Sequence, residues 1–285
     1  MKIGVMLESF LTDPALRVPH ENSGAVANYG KDSPLKKTVS IAASIGATGV
    51  QAYASYGELS PENMNPENMK IWKELLGENG LIFSAICGDL GGAGFEIESE
   101  NQARVDRSKR ILDLAKEFGC SIVTTHIGTL PSEENAKKEI MRKACRQLAE
   151  YADSINSAFA VETGPETCVV LRDFLDSLGA NGVRVNYDPA NLVMVVADDP
   201  VAGVHTLGKY IVHTHAKDGI QKSASPLEWE ETPLGKGGVD FKAYLSALKQ
   251  IGYDGYLTIE REVGDNPVSD IKMAADFLRE KLALL

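Results

Sequence analysis

The pattern that decides the fold is visible in the segment Ala158-Phe159-Ala160-Val161-Glu162-Thr163-Gly164. An apolar run ends in a carboxylate and a glycine, and an amphipathic stretch over residues 167–178 follows it. A mostly apolar run is typical of a parallel strand covered on both faces, whereas an alternating run is typical of a half-exposed strand. The segment therefore predicts a buried parallel strand followed by a helix.

The same pair of elements recurs along the whole chain. The predicted strands are 2–7, 49–53, 82–87, 122–126, 158–162, 183–187, 210–215 and 256–260. The predicted helices are 34–45, 66–79, 102–118, 133–156, 167–178, 200–207, 241–251 and 267–284. Several of these helices begin with Pro or an acidic first turn, and several stop at a glycine. Eight strands, each followed by a helix, predict a closed (β/α)₈ TIM barrel.

The main alternative is a doubly wound open sheet. Such a sheet usually carries a glycine-rich phosphate turn after its first strand. Here the first strand runs instead into Glu8-Ser9-Phe10-Leu11-Thr12-Asp13, which contains no glycine. The chain also has no low-complexity or Pro/Ser-rich linker, so we expect one domain over residues 1–285.

Composition excludes several classes of protein. The chain has 285 residues, of which 44% are apolar, and its formal net charge is −11. A charge of this sign argues against nucleic-acid binding, and no apolar run approaches the length of a membrane span. The first residues are typical of a strand rather than of a secretory signal, and the four cysteines form no CxxC pair. We therefore expect a cytoplasmic protein with reduced thiols.

Polar residues close the last four predicted barrel strands. Strand five ends in Glu162, strand six in Asp188, strand seven in His215 and strand eight in Glu260. Taken singly, a Glu is often solvated and an Asp before Pro often starts a turn. The active site of such a barrel lies at the carboxyl ends of its strands. At that end, the four residues together predict a site for one divalent ion such as Mn²⁺, Mg²⁺, Co²⁺ or Zn²⁺. The lack of thiolates argues against a structural zinc site.

These strand ends identify a resemblance to a known family. Over nearly all of its length the chain resembles the xylose isomerase-like superfamily of sugar isomerases and epimerases. The most specific stretches are Val161-Glu162-Thr163-Gly164, Asn186-Tyr187-Asp188-Pro189-Ala190-Asn191, His213-Thr214-His215-Ala216-Lys217-Asp218, Pro233-Leu234-Gly235-Lys236-Gly237 before Asp240-Phe241, and residues 251–260. The resemblance implies that Glu162, Asp188, His215 and Glu260 bind one divalent metal, commonly Mn²⁺, Mg²⁺ or Co²⁺.

The resemblance also implies a reaction. A proton is removed from a carbon next to a carbonyl of a small sugar or keto-polyol, and an enediolate forms. The metal would stabilise the developing oxyanion. Glu162 and Glu260 would act as base and acid on opposite faces of the substrate, provided that their surroundings separate their pKa values.

Four further residues are expected to bind substrate: His126, Asn191, Lys217 and His213. His126 closes strand four and is either a substrate or proton-relay residue or a histidine satisfied by a neighbouring loop. Lys217 either holds a substrate oxygen or pairs with a carboxylate such as Asp218. His213 and His215 lie on the same face of their strand, one layer apart. His213 is therefore either buried beneath His215 or forms a hydrogen bond that supports the metal ligands.

The chain departs from one branch of the superfamily. Ketose 3-epimerases carry a Glu six residues after the strand-five ligand, where this chain has Cys168. They carry a His three residues after the strand-six Asp, where this chain has Asn191. These departures argue against a free-ketose 3-epimerase, although the metal ligands are all in place.

Three other functions are alternatives to this reaction. A dehydratase or lyase acting on a keto-inositol or keto-sugar would use the same metal and a similar enolate. An endonuclease IV-like repair enzyme needs more metal ions, more than the five histidines present here, and a basic surface. A non-catalytic sugar-binding barrel would not need all four ligand positions filled. No arginine cluster or phosphate nest follows a strand, which favours an unphosphorylated substrate, and relatives lead us to expect a homodimer or homotetramer.

Two insertions are candidates for a role at the site. Residues 8–32 form a long connection after the first strand, predicted as a lid or binding loop or, alternatively, as a surface excursion. Residues 221–232 contain Trp229 among glutamates. This tryptophan can stack on a sugar face or cover a subunit contact, and both readings stay open.

Overall fold

The computed structural model of the chain describes residues 1–12 and 33–285. The strands are β1 Lys2–Met6, β2 Gly49–Gln51, β3 Ile82–Phe83, β4 Ile86–Cys87, β5 Ile122–Thr125, β6 Ala158–Glu162, β7 Val183–Tyr187, β8 Ile211–Ala216, β9 Asp218–Ala224, β10 Leu227–Thr232 and β11 Tyr256–Ile259. The helices are α1 Pro34–Ser44, α2 Pro66–Glu78, α3 Glu98–Glu117, α4 Ala136–Ser154, α5 Cys168–Asp176, α6 Pro189–Asn191, α7 Pro200–Leu207, α8 Phe241–Gln250 and α9 Pro267–Ala283.

Nine of these strands form one parallel sheet in the order β3-β2-β1-β11-β8-β7-β6-β5-β4. β3 and β4, at its two ends, are both pieces of the third predicted strand, 82–87. The prediction of a continuous strand is wrong at Ser84, whose backbone N–H and Oγ both donate to the Val50 carbonyl, at 2.8 and 3.1 Å. Hydrogen bonds from Cys87 N to Ala52 O and from Ala54 N to Cys87 O, both 2.8 Å, close the sheet into the expected barrel.

The helices surround the barrel as the sequence predicts, with their apolar faces packed on the strands. Their starts are fixed by side chains that accept a backbone N–H of the first turn, as at Ser33, Asn65 and Asn135. Helix α3 begins at Glu98 rather than at residue 102 as predicted. Acidic residues Glu98 and Glu100 in its first turn stabilise the positive end of the helix dipole, which accounts for the earlier start.

The predicted insertion at 221–232 is not an irregular loop. β9 and β10 form an antiparallel hairpin over Asp218–Thr232, in which Trp229 pairs with Gln221 and stays about half exposed. The carboxylate of Asp218 anchors its base, since it accepts backbone N–H groups from Gly219, Gly235, Gly237 and Val239 at 2.8–3.1 Å.

The connection predicted at 8–32 is described only in part. Its first residues lie within a 3₁₀ helix, Leu7–Thr12, and residues 13–32 lie outside the described ranges. None of the helices in the described part of the chain combines the length and apolar character that a membrane span needs. The four cysteines are buried and unpaired, as expected for small core thiols.

Candidate active site

The four predicted metal ligands meet at the carboxyl end of the barrel. Nδ1 of His215 lies 3.3 Å from Glu260 Oε2, 3.4 Å from Glu162 Oε1 and 3.8 Å from Asp188 Oδ2. One candidate ligand atom from each of the four residues lies within 4.8 Å of all the others. The strand register brings them together, because β6, β7, β8 and β11 are neighbours in the sheet.

Local hydrogen bonds decide which atoms face the centre of this cluster. Asp188 caps the turn of α6, so its Oδ1 accepts from Ala190 N and Asn191 N at 2.7 and 3.1 Å. Nε2 of His215 donates to Gln51 Oε1 at 3.1 Å, so Nδ1 is the ring nitrogen that faces the cluster, and it would offer a lone pair to a metal ion once its proton is lost.

The remaining atoms, Asp188 Oδ2 and His215 Nδ1, are buried and have no hydrogen-bond partner in the described part of the chain. Buried polar atoms are rarely left unpaired in proteins. Two such atoms, aimed at the same point between two further carboxylates, fit a divalent cation that prefers oxygen and imidazole ligands.

The charges of the cluster are strongly coupled. Burial alone would lower the pKa of His215, but the carboxylates of Glu260 and Glu162 raise it well above its usual value. Burial would likewise raise the pKa of Glu260, yet His215 and Lys217 hold it well below the usual range. The site thus holds ionised carboxylates around a positive charge, which is the arrangement that a bound cation needs.

Both carboxylate oxygens of Glu162 accept hydrogen bonds from asparagine side chains. Nδ2 of Asn191 donates to Glu162 Oε1 at 3.0 Å and to the Thr163 carbonyl at 3.2 Å, and Nδ2 of Asn186 donates to Glu162 Oε2 at 3.1 Å. Asn191 was predicted as a substrate contact, and its amide here orients a ligand carboxylate. Such outer contacts fix the rotamer of a ligand and tune its basicity.

Lys217 is almost fully buried and lies beside the cluster. Its Nζ contacts Glu260 Oε2 at 3.1 Å, a carboxylate oxygen of Glu262, and Glu231 Oε2 at 3.9 Å. The alternative that Lys217 pairs with a carboxylate is therefore found, but Asp218 was the wrong partner, because its carboxylate accepts backbone N–H groups at the base of the hairpin. The ammonium group of Lys217 instead places a positive charge next to Glu260, one of the two expected acid–base residues.

His213 lies in a second polar layer beneath His215. It is 1% exposed, its Nδ1 donates to Asn186 Oδ1 at 2.8 Å, and its Nε2 accepts from Thr258 Oγ1 at 2.8 Å. Burial, together with the charge on His215, lowers its pKa well below the usual value, so the ring is neutral. This geometry favours the role beneath the ligand that the strand pleat suggested.

His126 faces the cluster from the other half of the barrel. Its Nδ1 bonds to Asp89 Oδ2 at 3.0 Å, and its Nε2 lies 3.9 Å from Glu162 Oε1. Although burial opposes the charged form, Glu162 and Asp89 raise the pKa of His126 to about 9. The side chain is 47% exposed, so this imidazolium connects Glu162 to solvent.

A cavity of about 340 Å³ opens beside His126. This volume lies at the lower end of the range for sites that bind small molecules. Its lining is mostly backbone and small side chains: Asp89, Gly91, Gly92, Gly94, His126, Gly128, Thr129 and Pro165. None of the four cluster residues is among them, and His126, 3.9 Å from Glu162 Oε1, is the lining residue that relates the cavity to the cluster.

Three side chains that form hydrogen bonds to the candidate site residues were not predicted from the sequence. Gln51 and Asn186 orient His215 and Glu162, and Asp89 orients His126. A polar Gln at the end of the apolar run Gly49–Gln51 was an available signal, since a polar residue there must face another polar group. Asp89 follows its strand by two residues and carried no comparable signal.

Comparisons with known proteins agree with this fold. The family model described as xylose isomerase-like TIM barrel matches residues 39–281. An L-ribulose-5-phosphate 3-epimerase, UlaE, of Salmonella paratyphi C is 34% identical over 76 residues, which cover 26% of this chain and 25% of that protein.

Two solved structures show the same fold. A xylose isomerase domain protein from Planctomyces limnophilus has a TM-score of 0.77 at 24% identity, over 85% of this chain and 90% of that one. A D-psicose 3-epimerase from Clostridium cellulolyticum H10, solved with D-tagatose, has a TM-score of 0.73 at 17% identity, over 99% of each chain. Sugar epimerases thus recur among the similar proteins. The match to the family model spans most of the sequence, and the chain belongs to the xylose isomerase-like TIM barrel family.

Proposed function

We propose that this protein is a divalent metal-dependent isomerase or epimerase that moves a proton on a small sugar or keto-polyol. The observation that carries the proposal is the convergence of Glu162, Asp188, His215 and Glu260, with Asp188 Oδ2 and His215 Nδ1 buried and unpaired in the described residues. A Mn²⁺, Mg²⁺ or Co²⁺ ion held there would supply positive charge beside the substrate's carbonyl and hydroxyl oxygens, where negative charge develops.

Glu260 is the better candidate for the base that takes the proton from carbon. The ammonium of Lys217, 3.1 Å from Glu260 Oε2, keeps this carboxylate ionised and ready to accept. Because Lys217 is itself paired with Glu262, its charge is fixed in place. In this assignment Lys217 acts on the substrate through Glu260 and through any substrate oxygen within its reach.

Glu162 is the candidate for the acid on the opposite face. His126 Nε2, 3.9 Å from Glu162 Oε1, lies one water molecule or a small movement away from proton-transfer distance. A half-exposed imidazolium can return a proton to Glu162 from solvent after each turnover. The pKa values of both carboxylates are lowered by neighbouring positive charge, and the two differ in the proton donor beside them: Lys217 lies next to Glu260, and His126 lies near Glu162.

The reaction is tested by solvent deuterium uptake. The Mn²⁺-loaded protein is incubated in D₂O with D-tagatose, D-psicose, L-ribulose, L-ribulose 5-phosphate and a keto-inositol, and each sugar is analysed by NMR and mass spectrometry. We expect deuterium at a carbon next to the carbonyl of one unphosphorylated member. Glu260→Gln should lower the exchange rate by about 100-fold or more, because positioned acid–base groups contribute at least that much.

Glu228→Gln is the matched control. It makes the same charge change at an exposed position on the hairpin and should leave exchange unchanged. Exchange accompanied by loss of water from the sugar would assign the dehydratase alternative. A metal-loaded protein that exchanges no member of the panel would contradict the proposal and favour a sugar-binding barrel.

A further inference from the structure

One more carboxylate at the barrel mouth has an unpaired oxygen. Glu8 follows β1, and its Oε1 accepts the backbone N–H of Tyr53 at 2.9 Å. Its Oε2 is buried and has no hydrogen-bond partner in the part of the chain that the structure describes. One oxygen is therefore fixed by the backbone, which aims the other in a set direction.

The surroundings of Glu8 place it between the metal ligands and the open half of the barrel. β1 pairs with β11, the strand that leads to Glu260, and with β2, the strand that leads to Tyr53. Ser9 Oγ, next to Glu8 in the chain, accepts the backbone N–H of Arg261, the neighbour of Glu260, at 2.9 Å. The carboxyl group therefore lies beside the reaction centre and not on a remote surface.

The division of the barrel supports a role in substrate binding. The four metal ligands come from β6, β7, β8 and β11, so the ends of β1, β2, β4 and β5 are free to contact a substrate. His126 occupies the β5 end of this half and Glu8 the β1 end. A polyhydroxylated substrate that reaches the metal centre needs hydrogen-bond partners on this side as well.

We propose that Glu8 Oε2 forms a hydrogen bond with a hydroxyl group of the substrate, which makes Glu8 a specificity-determining residue for polyhydroxylated compounds. This inference rests on the proposed function, since it assumes a sugar at the metal centre. Burial raises the pKa of Glu8 to about 7, so the group can serve as a neutral donor near neutral pH. In the Glu8→Gln variant, the amide oxygen can still accept the Tyr53 N–H, and the amide nitrogen provides a donor at the position of Oε2.

The test measures binding of the ketose and keto-inositol panel to the full Mn²⁺-loaded chain, by calorimetry, beside the Mn²⁺ affinity of the same samples. We expect Glu8→Ala to bind Mn²⁺ like the wild type and to lose about tenfold in affinity for the sugar that binds best, as expected for one lost hydrogen bond. Glu8→Gln should keep that affinity within about threefold. Where turnover is measurable, the loss should fall on KM more than on kcat.

Glu150→Ala provides the control. It removes a carboxylate from an exposed position on α4, on the outside of the barrel, and should leave sugar affinity unchanged. Equal sugar affinity in the wild type and Glu8→Ala, or equal losses in Glu8→Ala and Glu150→Ala, would overturn the inference alone. A wild type that binds Mn²⁺ but no sugar would overturn the proposed function, and the inference with it.

Discussion

Two polar layers lie one above the other inside the barrel, and they differ in how their atoms are paired. In the lower layer the His213 ring is bonded on both nitrogens, to Asn186 and Thr258, and Gln51 Nε2 donates to Thr124 Oγ1 at 2.7 Å. In the upper layer, Asp188 Oδ2 and His215 Nδ1 face each other without a partner among the described residues.

This difference in hydrogen bonding gives the two layers different roles. A buried polar group without a partner costs stability, so two of them aimed at one point support the proposal that a ligand binds there. The lower layer holds the ring of His215 and the carboxylate of Glu162 in position, and the upper layer is where a cation fits. Substitutions in the two layers should therefore have different consequences.

The largest expected effect is on metal affinity, from Asp188→Asn. The amide can still cap α6, but it brings an N–H or a neutral oxygen where the charged Oδ2 was. We expect Mn²⁺ affinity to fall by about 100-fold or more, since even outer contacts of metal ligands contribute 10–100-fold. Mn²⁺ should then raise the melting temperature of the wild type but not of the variant. Isothermal titration and thermal unfolding measure both effects.

Asp199 offers a matched control for that substitution. Asp199-Pro200 caps α7 as Asp188-Pro189 caps α6, with its Oδ1 accepting from Val201 N and Ala202 N. Asp199→Asn should change neither metal affinity nor stability by much, because Asn and Asp cap helices about equally well. An equal loss of metal affinity in both variants would show that the cap, and not Oδ2, explains the effect.

The second prediction concerns the lower layer. Thr258→Val keeps the shape of the side chain but removes the hydroxyl that donates to His213 Nε2. The buried nitrogen is left unpaired, so we expect a loss of about 1–3 kcal/mol in the free energy of unfolding, measured with denaturant on the metal-free protein. Mn²⁺ affinity should change by less than about tenfold. A loss of metal binding without a loss of stability would reverse the roles of the two layers.

The third prediction uses pH to examine Glu8, whose Oε2 has no hydrogen-bond partner among the described residues. Because burial raises its pKa to about 7, the folded chain binds a proton there between roughly pH 4.5 and 7 that the unfolded chain releases. Stability should therefore fall as pH rises through this window, by about 1–3 kcal/mol, and this part of the pH dependence should be missing from Glu8→Gln. Unfolding of both proteins at pH 5, 6, 7 and 8 gives the difference directly; parallel curves would contradict the assignment.

The smallest expected effect is on the titration of His126. Glu162 and Asp89 raise its pKa to about 9, so its favourable charge is fully present below about pH 6.5 and is lost as pH rises through 9. Asp89→Asn should move the midpoint toward the usual histidine value, as followed by NMR of the imidazole protons in the metal-free protein. Exposure of the ring keeps the effect on stability small. An unchanged midpoint would show that Asp89 does not stabilise the charged form of His126.

The sequence was sufficient to predict that the four residues converge, because barrel geometry is repetitive. Once residues 158–162, 183–187, 210–215 and 256–260 are recognised as consecutive strands, their polar ends must meet at one mouth. What could not be predicted is which atom of each residue faces the centre of the cluster. That choice depends on contacts between distant residues, such as Gln51 with His215.

Two errors have clear physical causes. Lys217 and Asp218 are adjacent, and successive residues on extended backbone point to opposite sides, so they were poor candidates for a mutual ion pair. Lys217 points to Glu260 and Asp218 to the backbone at Gly235 and Gly237. The hairpin at 218–232 was missed because its exposed strands are rich in charged residues, which give no apolar run to detect.

The central claim is that the upper layer holds one divalent ion. The most direct measurement is Mn²⁺ titration of the metal-free protein followed by EPR, with metal content determined after gel filtration. We predict one tightly bound Mn²⁺ per chain in the wild type and in Asp199→Asn, and none retained by Asp188→Asn. A wild type that retains no divalent ion under any loading condition, or an Asp188→Asn variant that retains one as tightly as the wild type, would contradict the account.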